Sequence, residues 1–333
     1  MTTAAGEAGP ESDVRRRLIG PAAAAAVIAL VIVGCLLAPG GAPAFGQAFL
    51  DGLRLGMILA LIGVGLSLVY STTGIFNFAH GELATLGAVL AWWLNAIVGL
   101  PLVLATVIAI LMAAAFSYGS ERVLWRPLRR RKVNVTSVLV VAIGLGLGVR
   151  SVFLFLMGGG RQSYTEFAVQ KPITFLGVSA TPKDLFSIAL CALALSALGL
   201  FLRKAKLGQA IRAVSDDPVL AGASGIAVNP SISLVWAIAG ALAALGGVLL
   251  GLSEQITWDM GNLLLLLVIA GVTLGGLGTV YGALAGSVVV GIATQLSTLW
   301  IPAELKFVTA LVLLIVILLL RPQGILGKGR RVG

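Results

Sequence analysis

The segment Gly74-Ile75-Phe76-Asn77-Phe78-Ala79-His80-Gly81-Glu82 sets the only histidine of the chain two residues before a carboxylate. An imidazole beside an acid can relay protons, act as a general base or gate a charged path. Long apolar runs flank the segment on both sides. An ionisable group at the centre of a membrane helix costs about 2.5–3.5 kcal/mol on insertion scales, so such groups are paired, reach for the interface or serve function. Two geometries fit. As a turn at the membrane surface, 72–81 lets Asn77 cap the next helix while Glu82 sits at its positive end. As a re-entrant segment, its irregular backbone lines a solute path, where water or protein satisfies the peptide groups. Both place His80 and Glu82 at the inner mouth of a pore.

The other chemically explicit stretch is Gly208-Gln209-Ala210-Ile211-Arg212-Ala213-Val214-Ser215-Asp216-Asp217-Pro218, continuing to Gly225-Ile226. Asp217 suits an N-cap, Pro218 the first helical position, and Gly225 the left-handed residue that closes a helix. A helix of about two turns follows, and Asn229-Pro230 repeats the start signal before the next apolar run. Its small residues Ala221, Gly222, Ala223 and Ser224 leave it little core of its own. It reads either as a helix that docks into a partner's groove or as a solvated linker.

Nucleotide chemistry is missing from the chain. No Gly-x-x-x-x-Gly-Lys-Ser/Thr occurs, and Gly327-Lys328-Gly329 lacks both the spacing and the hydroxyl residue. Gly276, Gly278 and Gly282 loosely match a dinucleotide loop, but they lie in an apolar run without a βαβ pattern. No Ser-His-acid set, paired carboxylates or metal-ligand cluster accompanies His80, so no catalytic residue, metal or cofactor is expected.

The elements that position these segments must be membrane helices. Of 333 residues, 59% are hydrophobic and 11% charged, more apolar surface than a soluble core absorbs. Runs long enough to cross a bilayer fall at 18–38, 53–71, 82–98, 101–120, 134–157, 185–202, 231–252, 262–279, 282–300 and 306–320. The expected fold is therefore all-α, a polytopic transmembrane bundle of about ten helices with one short helix outside the membrane. The chain divides into a tail over 1–17, a membrane domain over 18–320 that contains the segment 203–230, and a basic tail over 321–333.

The net charge of +10 does not point to nucleic acid, because the basic residues flank apolar runs and cover no soluble face. With the N-terminus inside, 17 of the 23 Lys and Arg fall in inside segments, around Arg15, from Arg122 to Lys132, from Arg203 to Arg212, and from Arg321 to Arg331. This is the positive-inside asymmetry, and an even number of crossings puts both termini in the cytoplasm. Arg15, Arg16 and Arg17 precede the run from Leu18 without a small-residue cleavage site, so that run is read as a retained first helix. Cys35 and Cys191 lie within apolar runs as packing residues. The 43 glycines concentrate in the spans, at Gly63, Gly65, Gly144, Gly146, Gly148 and from Gly271 to Gly286, where they let helices approach closely. The outside segment 158–184 opens on the mobile Gly158-Gly159-Gly160.

Four motifs in this order make the chain resemble the permease subunits of branched-chain amino acid ABC importers, specifically the LivH-type member of the permease pair. They are Asn77-Phe78-Ala79-His80-Gly81-Glu82; Ala210-Ile211-Arg212-Ala213 with Asp217 and Gly225-Ile226; Gly275-Gly276-Leu277-Gly278-Thr279 before Gly282; and Arg321-Pro322-Gln323-Gly324. The Asn-Phe-Ala-His form, where the other permease type has Ser-Leu-Gly-His, carries the LivH-type distinction. The resemblance implies a cytoplasmic coupling helix that fits into an ATPase, with Arg212, Asp216, Asp217, Ala221, Gly225 and Ile226 as its residues. It implies a translocation path or gate near Asn77, His80, Glu82, Gly275, Gly276 and Gly278. It also implies partners, namely a second homologous permease, two ABC ATPase subunits and an extracytoplasmic solute-binding protein, in a bacterial plasma membrane. The implied solutes are leucine, isoleucine and valine, with urea or short amides as the alternative because related permeases serve them. The N-terminal extension with Glu7, Glu11 and Asp13 and the basic cluster at 126–132 depart from the family pattern.

Two readings from other classes stand beside this one. An ion-coupled secondary transporter would carry protons on His80 and Glu82 and would work without ATPases. A membrane-embedded enzyme would use His80 as general base and form product without transport partners.

Overall fold

A computed structural model describes residues 38–167, 170–175, 177–320 and Gly324. The expected first span with Cys35, the tail over 1–17, and the C-terminal tail apart from Gly324 lie outside the described residues. Every later expected span has its helix. They are α1 (Gly41–Thr73), α2 (His80–Trp92), α3 (Leu102–Ser120), a one-turn α4 (Arg126–Arg130) and α5 (Val135–Met157). A short antiparallel hairpin, β1 (Ile173–Phe175) and β2 (Val178–Ala180), precedes α6 (Pro182–Lys204), α7 (Lys206–Asp216) and α8 (Pro218–Ala223). The chain continues through α9 (Val228–Ser253), α10 (Met260–Gly275), α11 (Val280–Ser297) and α12 (Lys306–Leu320). π-helical turns extend α2 over Trp93–Ile97 and join α3 to α4 over Glu121–Trp125. Among the described residues six helices are long and apolar enough to cross a membrane, as lipid demands of segments that must satisfy their own peptide groups.

α1 and α9 form the centre of the bundle. In their most apolar stretches 83% and 72% of residues are buried, against 28%, 22% and 28% for the spans built on α3, α5 and α6, which therefore face outward. α1 runs antiparallel to α11, and the two backbones meet where Gly52 faces Ile292 and Gly56 faces Val288 and Gly291. On the other side, α2 packs on α9 through Ala84 and Gly247, where a Cβ on the glycine would overlap the Ala84 carbonyl. Without a hydrophobic force between helices in lipid, such backbone contact supplies the association energy. Cys191 is a buried free thiol on α6.

The link between α1 and α2 is re-entrant, which decides against the surface turn. α1 continues to Thr73 and ends on Gly74, a left-handed cap with φ +68°. Yet His80, six residues later, lies beside Ile62 and Gly65 of α1. The chain thus returns along α1 by 8 to 11 residues, about 12–16 Å at 1.5 Å per residue. Phe76 marks the path halfway, its ring 6.3 Å from that of Tyr70. A second break mirrors the first. After α9 ends at Ser253 the chain turns back, and α10 begins against the start of α2, with Gly261 touching the Gly81 backbone.

Candidate functional site

The two broken helices start at one place. The Thr85 hydroxyl on α2 accepts the Gly261 N–H of α10 at 2.9 Å, and Gly81 and Gly261 are so close that a Cβ on either would overlap the other's carbonyl. The level of this junction follows from α5. Gly146, the central residue of that 23-residue helix, faces Ala79 and the Glu82 side chain. Two helix N-termini, each carrying a partial positive charge, therefore meet near mid-membrane, the first-turn N–H groups of α10 being taken up by Thr257, Thr85 and Asp259.

The side chains around the junction divide between two faces. His80 is fully buried and points at α1, where its Nε2 lies 3.0 Å from the Ile62 carbonyl oxygen. A carbonyl only accepts, so Nε2 carries the proton. Glu82 is 5% exposed and points instead toward α5. Adjacency in sequence has not made a His80–Glu82 side-chain pair, and neither group stands at an open inner mouth. Asn77, 2% exposed, accepts the Ala79 N–H at 3.0 Å and so fixes the entry into α2. Charge and polarity then come from residues that the motif search passed over: Arg150 on α5, whose guanidinium lies 5.9 Å over the Trp258 ring, and Asp259 at the start of α10. Arg150 was visible in sequence as the one charge in the interior of its span, which is the signal that marks it.

Gly275, Gly276 and Gly278 are elsewhere. They make the tight connection from α10 to α11 at the far end of α10, with Gly276 at φ +110° and Gly278 at φ +83°. A Cβ on Gly275 would overlap the Gly282 carbonyl, and Gly324 packs on Gly276. Their observed contacts are those of close helix packing.

At that same end of the bundle, 203–230 forms two helices where one was expected. α7 is the amphipathic first, burying Gly208, Ile211 and Val214. Asp217 then caps α8, accepting the N–H groups of Val219 and Leu220 at 2.8 and 2.9 Å. Pro218 is its first residue and Gly225 adopts φ +83° just beyond it. Arg212, Asp216, Asp217 and Gly225 are exposed, Ile226 is half-buried and Ala221 is buried. The outward apolar pair is Val219 and Leu220, 80% and 65% exposed, which reasoning from the small residues of α8 had missed.

The basic cluster that follows α3 acquires a role here. Glu121, wholly buried, accepts Arg126 at 2.9 Å, Arg129 at 2.6 Å and the Ser233 hydroxyl at 2.7 Å. Arg126 also reaches Ser233 on α9 at 2.5 Å, and Trp125 stacks on Trp236 with centroids 5.4 Å apart. The end of α3 is thereby clamped to the first turns of α9, beside α8. A concavity between α3, α6 and α9 is lined mostly by apolar side chains, among them Val107, Ile110, Phe186, Leu190, Leu245 and Val248, with Thr106, Gln170 and Lys183 as its polar members.

Residues 48–320 match the family model described as branched-chain amino acid transport system / permease component. The chain is 33% identical over 304 residues to the high-affinity branched-chain amino acid transport system permease protein LivH of Escherichia coli K12, covering 85% of this chain and 96% of that protein. It is 32% identical over 295 residues to the corresponding protein BraD of Pseudomonas aeruginosa, covering 85% and 95%. It is 29% identical over 285 residues to a probable branched-chain amino acid transport permease protein LivH of Methanocaldococcus jannaschii, covering 81% and 89%. Among solved structures, a chain of PsaBC from Streptococcus pneumoniae in complex with Fab is similar with TM-score 0.47 and 14% identity, over 89% of this chain and 97% of that one.

Proposed function

The chain belongs to the branched-chain amino acid permease family, and we propose that it forms half of the membrane pathway of an ATP-driven importer for leucine, isoleucine and valine. It is a multi-pass membrane transport subunit. The observation that supports the ATP-driven reading is α8, a capped helix outside the membrane that presents Val219 and Leu220 to solvent. An exposed apolar pair on a rigid two-turn helix suits insertion into a groove of another protein.

In this reading the end carrying Arg126 to Lys132 and Arg203 to Arg212 is cytoplasmic, following the positive-inside rule. Two ATPase subunits bind there, with Arg212, Asp216, Asp217, Gly225 and Ile226 around the docked helix and Ala221 seating it on the bundle. A homologous second permease completes the pathway, and an extracytoplasmic binding protein delivers the solute at the end carrying the β1–β2 hairpin. Transport is by alternating access, with ATP binding favouring one state of the pair over the other. Asn77, Glu82 and the start of α10 belong to the path, whereas His80 holds the re-entrant segment against α1.

Purification of the complex from the native host, with identification of the subunits that accompany this chain, tests the reading. Two ATPases and a distinct permease are expected. A stable homodimer of this chain that accumulates solute in proteoliposomes without ATPases would replace it by a secondary transporter.

A further inference from the structure

We infer that the junction of α2 and α10 is a binding site for a zwitterionic solute, with Arg150 holding its carboxylate and Glu82, together with Asp259, holding its ammonium. The inference rests on the importer reading and adds to it the residues that recognise the solute inside the membrane. Three charged side chains from three different elements gather here, near the middle of α5, where charges are costly and are retained for function.

What singles them out is that they have not neutralised one another. The ion pairs among the described residues join Arg54 to Asp51 and Asp184, Glu121 to Arg126 and Arg129, and Lys306 to Glu254. Glu82, Arg150 and Asp259 take part in none of them, although Arg150 lies one turn of α5 beyond Gly146, which faces the Glu82 side chain, and Asp259 lies two residues before Gly261, which packs on Gly81. Glu82 is 5% exposed and has one long hydrogen bond, 3.5 Å from the Thr85 hydroxyl. A buried carboxylate so poorly satisfied calls for a donor that the described residues do not supply. Asp259 precedes α10 without capping it by its side chain. The Arg150 guanidinium lies 5.9 Å over the Trp258 ring, a contact at the outer range of cation–π attraction that leaves its N–H fork available to a carboxylate.

The charges sum to one negative, so an amino acid's ammonium meets two acids and its carboxylate one guanidinium. Asn262 and Leu263, 46% exposed, open the junction on one side, and an aliphatic side chain can extend there along Trp258 and Leu263.

The test uses the complex purified from the native host without its solute-binding protein, and measures equilibrium binding of tritiated leucine by scintillation proximity. Saturable binding is expected, competed by isoleucine but not by leucinamide, which lacks the carboxylate, nor by 4-methylpentanoate, which lacks the ammonium. Arg150→Met and Glu82→Gln should each weaken binding by roughly tenfold or more, the loss of a charge-assisted hydrogen bond, and Arg150→Lys should recover part of it. Co-purification of the ATPases in each variant reports folding and assembly. An assembled wild-type complex without saturable binding, variants that bind like wild type, or competition by leucinamide equal to that by leucine would overturn the site while leaving the importer reading intact. A chain that purifies without ATPases would instead remove the importer reading.

Discussion

Replacing Glu121 by glutamine keeps its size and removes its charge. The carboxylate is fully buried and takes hydrogen bonds from Arg126 through both Nε and Nη2, from Arg129 and from Ser233. In the variant two guanidiniums and the Ser233 hydroxyl face a neutral amide whose NH2 adds a further donor where an acceptor is needed. Breaking a buried pair by removing one partner costs about 3–5 kcal/mol. Arg126 and Arg129 keep 19% and 20% side-chain exposure, so water recovers part of the loss, and the expected cost of Glu121→Gln is about 2–3 kcal/mol. Reversible unfolding of the purified chain by SDS titration in mixed micelles measures it. Arg129→Gln should cost less, because Glu121 retains Arg126. The double variant should show a coupling of about 1–2 kcal/mol, since the second change removes a charge that the first left stranded. A Glu121→Gln variant within about 0.5 kcal/mol of wild type, the range of ordinary surface changes, or an additive cycle, would refute the clamp.

Three further outcomes are expected. Asp217→Ala removes the acceptor of the Val219 and Leu220 N–H groups and costs α8 about 1 kcal/mol; hydrogen exchange at those two amides should speed up roughly fivefold, and unchanged protection would discount the cap. Gly225→Val meets no neighbour within 4 Å but sits at φ +83°, so its cost is backbone strain of about 1–2 kcal/mol; uptake per ATP hydrolysed in proteoliposomes should fall, and an unchanged ratio would take α8 out of coupling. Gly247→Ala drives a Cβ into the Ala84 carbonyl and should destabilise the α2–α9 contact by about 1–3 kcal/mol in SDS titration.

How far the sequence carries depends on the physical signal involved. Spans were legible because lipid requires long apolar helices, so 134–157 anticipated Val135–Met157 closely. Caps were legible because Asp217, Pro218 and Gly225 each suit one backbone geometry. The re-entrant path was open in sequence, because a surface turn and a returning segment need the same Gly74 and Asn77; only packing of His80 on Ile62 separates them. The second break was hidden for a similar reason. Residues 254–261 fall between the expected spans 231–252 and 262–279, and their return into the bundle depends on Gly261 meeting Gly81, sequence-distant glycines indistinguishable from many others. That His80 and Glu82 face different neighbours was not legible, because closeness in sequence says nothing of direction and at a helix start residues two apart point to different sides.

One helix connects the two places where function is assigned. α9 starts beside α8, where a Cβ on Gly222 would come 3.6 Å from Val228; it is clamped by Arg126 through Asn229 and Ser233, and it meets α2 at Gly247, about 29 Å from Val228 at 1.5 Å per residue. Close packing at both ends means that a tilt imposed on α9 by a partner bound to α8 cannot leave the start of α2 in place. Among the described residues α5 touches the bundle chiefly through α2. Such a tilt would therefore move Glu82 relative to Arg150 and change how well the pair fits a zwitterion. A solute held tightly in one state and loosely in the other is what lets ATP binding do transport work, because a ligand shifts an equilibrium only by its differential affinity for the two states.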